Sequence, residues 1–218
     1  MARRRLPSFE ETSPLGERIA TGLHKLGLAM KQQTWLKAAE DGLSPTQGQI
    51  LAALAGEGAL TGTDLSKRLA LTLPTISDSV KALVEKGLVL RRSDPRHPRA
   101  SLLELTASGR ARAASARAWP EFLAVAVDTM SEAEQEVFLS GLIKMIRALQ
   151  ESGQIPTNRM CVTCTHFRPH VHEGEAPHHC AYVDAAMADR SLRIDCPEHL
   201  EAPAAQRAAA WERFVNTS

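Results

Sequence analysis

The stretch 61–109 constrains the fold of this chain more than any other. It holds two short helix patterns a few residues apart, then two alternating segments around a loop marked by Pro95 and Pro98. Thr61 and Asp64 have the spacing of a helix-starting cap, and Leu65 and Leu69 give that helix one apolar side. Pro74 opens the next helix, on which Ile76, Val80, Leu83 and Val84 form a stripe to be buried. Lys86 and Gly87 close it, a cation in the last turn followed by a residue suited to a left-handed cap. Segments 88–92 and 100–105 alternate as short antiparallel strands, with 93–99 as the loop between them. Two helices followed by a hairpin is the plan of a winged helix-turn-helix, in which the second helix lies in a DNA groove.

The flanks read as helical support. Over 14–41, Leu15, Ile19, Leu23, Leu26 and Met30 recur at spacings of four and three, and Gly42 can stop the helix. Ser44, Pro45 and Gln47 start a second helix that turns Ile50, Leu51 and Leu54 inward and ends at Gly56 and Gly58. Thr106 caps a helix running to about 129, which Pro120 kinks or breaks. Ser131 and Glu134 form another capping box before Phe138, Leu142, Met145, Ile146 and Leu149. The first and last of these helices are expected to pack on each other.

Formal net charge is only +1, so a nucleic-acid surface must come from local clustering of Lys and Arg. Aromatic residues make up 4% of the chain, too few for the stacking platforms of a single-strand binder. The start, with Arg3, Arg4 and Arg5, has no apolar run behind it and is not a signal peptide. No uncharged apolar run would span a bilayer. A cytoplasmic protein without membrane partners is expected.

The expected DNA contacts follow from chemistry. Thr72, Thr75, Ser77 and Ser79 are small and hydroxylated, which lets the start of a recognition helix approach phosphates and base edges. Asp78 can accept from cytosine N4, and Lys81, Arg91 and Arg92 can neutralise phosphates, as can Lys67, Arg68 and Lys86. Arg96 and Arg99 sit between prolines on the wing, suited to a narrow minor groove, with Asp94 placed to pin one guanidinium. A winged helix used only for protein contacts is the alternative, and the wing arginines speak against it.

With these residues in view, 15–149 resembles the MarR family of transcriptional regulators. The resemblance is carried by Leu65 to Leu69, by the run LPTISDSVKALVEKGLV, by the wing pattern Asp94-x-Arg96-x-x-Arg99, and by Leu105-Thr106-x-x-Gly109. It implies a homodimer built from the terminal helices, a palindromic double-stranded operator, repression, and release by a small-molecule effector. Asp78 stands where that family often carries a basic residue, which moves the expected weight of DNA binding to the wing.

A second centre lies further on. All four cysteines fall in the pattern Cys161-x2-Cys164-x15-Cys180-x15-Cys196, among His166, His170, His172, His178, His179 and His199. In a reducing compartment this spacing points to a metal centre held by the four thiolates. Zinc fits four cysteines, and Cys196 with His199 would make a second knuckle. A single close pair with two isolated cysteines, the last followed by Pro197, leans instead to an iron–sulfur cluster. A catalytic zinc needs an open position and a carboxylate base, and four cysteines leave no opening, so the chain is not expected to be an enzyme.

The resulting expectation is a mainly α chain: a winged helix-turn-helix with a β-hairpin wing, a helical dimerisation region and a small C-terminal metal-binding module. Its divisions are a flexible basic arm at 1–13, the MarR-like domain at 14–152 with a DNA-binding core at 44–109, the Cys/His module at 157–202, and a terminal helix or tail at 203–218. The function expected is a sequence-specific DNA-binding regulator. A metal-dependent protein-interaction module and a metalloenzyme are the alternatives.

Overall fold

The computed structural model describes residues 14–93 and 101–216. The expected basic arm 1–13 and the wing tip with Asp94, Arg96 and Arg99 lie outside the described residues.

In the winged module each helix begins on a side chain that satisfies its own first amides. Ser44 and Gln47 close a capping box on α2 (Pro45–Glu57), and Thr61 and Asp64 close one on α3 (Gly62–Leu69). Thr72 accepts from the Thr75 amide at the start of α4 (Leu73–Glu85), and Thr106 accepts from the Gly109 amide at the start of α5 (Ala107–Ala118). Each such cap is worth about 1 kcal/mol. The α3–α4 turn passes through Ala70 at φ 53, a left-handed conformation taken here without glycine. Gly87, at φ 68, ends α4.

The wing strands are β2 (Val89–Ser93) and β3 (Ser101–Leu105), paired in register from Val89 opposite Leu105 to Ser93 opposite Ser101. A third strand, β1 (Leu60–Thr61), adds to the other edge of β3. Two residues are too few to show alternation, so the sequence does not announce it. The core of this half joins Ile50, Leu51, Leu54, Leu65, Ile76, Val80, Leu83, Val89 and Leu103 with Ala113 and Trp119. Val84, expected in the buried stripe, sits at its margin at 36% exposure.

Helix α1 (Leu15–Glu40) is 26 residues long, yet Ala38 is its one buried residue. It joins the core through its last turn, where Asp41 accepts from Ser115 (2.6 Å), Trp119 Nε1 (3.0 Å) and Arg112 (3.1 Å). These donors hold the Asp41 carboxyl below the ordinary carboxylate range, the Ser115 hydroxyl most of all and against the cost of burial. Arg112 thus helps hold the end of α1 to α5. Trp119 is buried against Gly48, whereas Trp35 is exposed.

Pro120 divides the helix expected over 106–129 into α5 and α6 (Glu121–Val127). Helix α7 (Glu132–Glu151) then starts on the Ser131–Glu134 box. Its buried side is not the expected stripe. Ile143 is buried, while Phe138 and Met145 are exposed. Ile143, with Leu139 and Ile146 beside it, packs on Met160, Val162, Phe167, Leu192 and Phe214. One core thus runs across the expected divide between 14–152 and 157–202 and joins α7 to the cysteine segment.

That segment is ordered around a three-stranded antiparallel sheet, β4 (Phe167–Arg168), β5 (His178–Cys180) and β6 (Ala185–Met187). Helix α8 (Ala204–Asn216) closes over it. Its Phe214 meets the rings of Phe167, His178 and Trp211, and Trp211 takes the buried Arg147 guanidinium at 4.5 Å. Among the described residues no helix is long and apolar enough to cross a membrane.

Candidate nucleic-acid interface and cysteine cavity

Burial of Ile76, Val80 and Leu83 fixes the rotation of α4 and turns Thr75, Ser77, Asp78 and Lys81 outward. Ser79 is half-buried. Thr72 is exposed, but its hydroxyl is engaged with Thr75, 3.3 Å from the amide and 2.8 Å from the hydroxyl. Its role in the structure is to cap α4 and present the residues that follow.

The wing meets α4 at a surface cleft of about 400 Å³, lined in part by Thr63, Ser77, Arg91 and Ser101. The structure therefore brings a recognition-helix hydroxyl and a wing cation to the same opening. Arg92, also on β2, pairs with Glu104 at 3.0 Å; at 64% exposure this is a surface contact of small worth. Two other expected phosphate ligands are engaged internally. Lys86 donates to Gly42 O (2.7 Å) and Gln47 Oε1 (2.8 Å), which ties the end of α4 to the start of α2. Arg68 is ion-paired with Glu57 (2.8 Å) and Asp195 (2.9 Å). Sequence reasoning could not find that pairing, because Asp195 is 127 positions away.

The four cysteines line a single cavity of about 190 Å³ together with His166, Tyr182 and Arg193. Cys161 begins a tight 3-10 turn, Cys161–Thr163, and the Cys164 amide returns to Cys161 O at 2.9 Å. Cys180 arrives at the end of β5, opposite Phe167. Cys196 is anchored by its amide on Arg159 O at 2.9 Å. Burial pushes the Cys161 thiol above its ordinary range, against the lowering effect of the Arg193 amide, and the neighbouring cysteines add to the rise. His199 does not line the cavity. Its Nε2 lies 3.0 Å from Thr163 Oγ1. Among the described residues no three Cys, His, Asp or Glu side chains close on one point where a single ion would sit.

Comparison with known proteins locates the winged half. Residues 41–100 match the family model described as the MarR family. An uncharacterised HTH-type transcriptional regulator of Mycobacterium bovis is 27% identical over 136 residues, 62% of this chain and 95% of that protein. Staphylococcus aureus MepR, solved as a MepR–DNA complex, superposes with a TM-score of 0.53 at 29% identity, over 61% of this chain and 98% of that one. YusO of Bacillus subtilis, at 20% identity and a TM-score of 0.51 over 65% of this chain and 99% of that one, shares the fold.

Proposed function

We propose that this chain is a helix-turn-helix transcriptional regulator of the MarR type, which binds a palindromic double-stranded operator as a homodimer and represses transcription from it. The observation that carries the reading is the outward face of α4, with Thr75, Ser77, Asp78 and Lys81 clear of the core and Arg91 of the wing beside Ser77. In this reading the protein works in the cytoplasm, with the DNA it reads. The likeness to a chain solved on DNA supports the same role. Anisotropy measurements with duplexes from its own promoter region test it, and saturation at two chains per duplex is the expected result. One chain per duplex would contradict the two-fold operator.

The unpartnered side of α1 supports the dimer. Leu15, Ile19, Leu26 and Met30 are exposed along it, an apolar row a solitary helix does not leave in water. Val137, Phe138 and Met145 of α7 are exposed as well. A second copy of this chain, offering the same helices by a two-fold axis, covers both. Introducing Ile19→Glu and Leu26→Glu together should convert the dimer to a monomer in sedimentation while leaving helix content intact. A double variant that sediments like the parent would place the subunit contact elsewhere.

A further inference from the structure

The cysteine cavity lies outside the DNA-reading face and has a chemistry of its own. A tetrahedral zinc draws sulfur atoms to about 2.3 Å from one point. Here the four thiols stand around the wall of a cavity of about 190 Å³. A cavity lined by four thiols, one close pair and two that arrive singly, suits a polynuclear core, in which each thiol ends on an iron of its own. The surroundings suit it too. The Arg193 amide donates to Cys161 Sγ at 3.2 Å, and the Arg193 guanidinium lies 3.9 Å from Cys196 Sγ. Donors and a cation beside thiolate sulfur offset the negative charge of such a centre and tune it.

The same loops are bound to the winged module. Asp195, next to Cys196, accepts from Arg159 Nε at 2.8 Å and Arg68 Nη2 at 2.9 Å. Arg68 lies in the last turn of α3 and pairs with Glu57, the last residue of α2; Arg159 reaches the same carboxylate at 3.5 Å. The peptide that anchors the fourth cysteine is Arg159, through its carbonyl. Two arginines and two carboxylates, with Arg68, Arg159 and Glu57 each mostly shielded from water, therefore join the cavity wall to the two scaffold helices beneath α4.

We propose that Cys161, Cys164, Cys180 and Cys196 hold an iron–sulfur cluster in this cavity, and that Asp195 relays its presence to α3 through Arg68. With the cluster bound, Cys196 is fixed, the charge network is held, and α3 and α4 keep the arrangement described above. With the cluster removed, the 195–196 loop is released and duplex binding weakens. The relay rests on the DNA-binding reading, whereas the cluster does not. Couplings between sites are typically several-fold to about a hundredfold, and about tenfold weaker binding on cluster removal is expected.

The test uses the full chain purified without air. Iron and acid-labile sulfide in equal amounts with visible absorption are expected, and Cys180→Ser should lose both while keeping its helical spectrum. A colourless protein carrying one zinc per chain overturns the cluster, whether or not the cysteine variant folds. Duplex binding is then compared before and after iron removal by a chelator, in the parent and in Asp195→Asn. The variant should keep its iron but lose most of the difference between the two states. Equal binding with and without iron in the parent, or an undiminished difference in Asp195→Asn, overturns the relay. Absence of duplex binding in every state overturns the DNA-binding reading and the relay together, while the iron and sulfide contents still decide the cluster.

Discussion

Replacing Gly109 by alanine should destabilise the winged module by about 3 kcal/mol or more, although alanine is the better helix former by about 1 kcal/mol. A Cβ built at Gly109 lies 1.9 Å from Leu88 O and 3.0 Å from Leu88 C, both backbone atoms at the start of the wing. That carbonyl already accepts from the Thr106 amide at 3.1 Å, so it cannot retreat without giving up the contact that seats α5 on the wing. Denaturant unfolding measures the effect. Gly56→Ala supplies the contrast, because nothing lies within 4 Å of the added carbon and the residue is in the last turn of α2. It should be neutral or slightly stabilising. A Gly109→Ala protein as stable as its parent would mean that α5 does not rest on Leu88.

Phe214→Ala should cost about 3–5 kcal/mol, the range for removing a buried aromatic from a packed core. Phe214 is 1% exposed and lies between Phe167 (6.1 Å between ring centres), His178 (5.5 Å) and Trp211 (5.6 Å). Its core also contains Ile143 of α7 and Met160 just before the first cysteine. Truncation should therefore loosen the cysteine segment and the end of α7 together. Hydrogen exchange resolves this: amides of β5 and of the Ile143 turn should lose protection in step, with α2 and α4 less affected. Loss confined to α8 would show that the terminal helix merely covers a module that stands without it.

These two sites differ in how far the sequence announces them. Gly109 belongs to a motif of short range, and so do the caps at Ser44, Thr61, Thr72, Thr106 and Ser131; local hydrogen bonding decides each. The recognition helix was legible for the same reason, since Ile76, Val80 and Leu83 set its rotation. Helix α7 was not. It has apolar residues on two sides, and periodicity cannot say which side meets the rest of the chain. Ile143 took the core, while Phe138 and Met145 stayed outside. The spacing of the cysteines marks the four thiols as one set, but the sheet β4–β6 has strands too short for alternation to show. The salt bridges from Asp195 to Arg159 and Arg68 span 36 and 127 positions, and no local pattern encodes them.

The most direct test of the central claim is binding of the intact chain to a duplex from its own promoter, titrated with salt, beside Ser77→Glu. Ser77 is exposed on α4 in the cleft shared with Arg91, so a carboxylate there meets the phosphates that the module is built to approach. The account predicts affinity that falls linearly with the logarithm of salt concentration, preference over a scrambled duplex, and at least about tenfold weaker binding in the variant. Affinity independent of salt, or a Ser77→Glu protein that binds its duplex as the parent does, would contradict it.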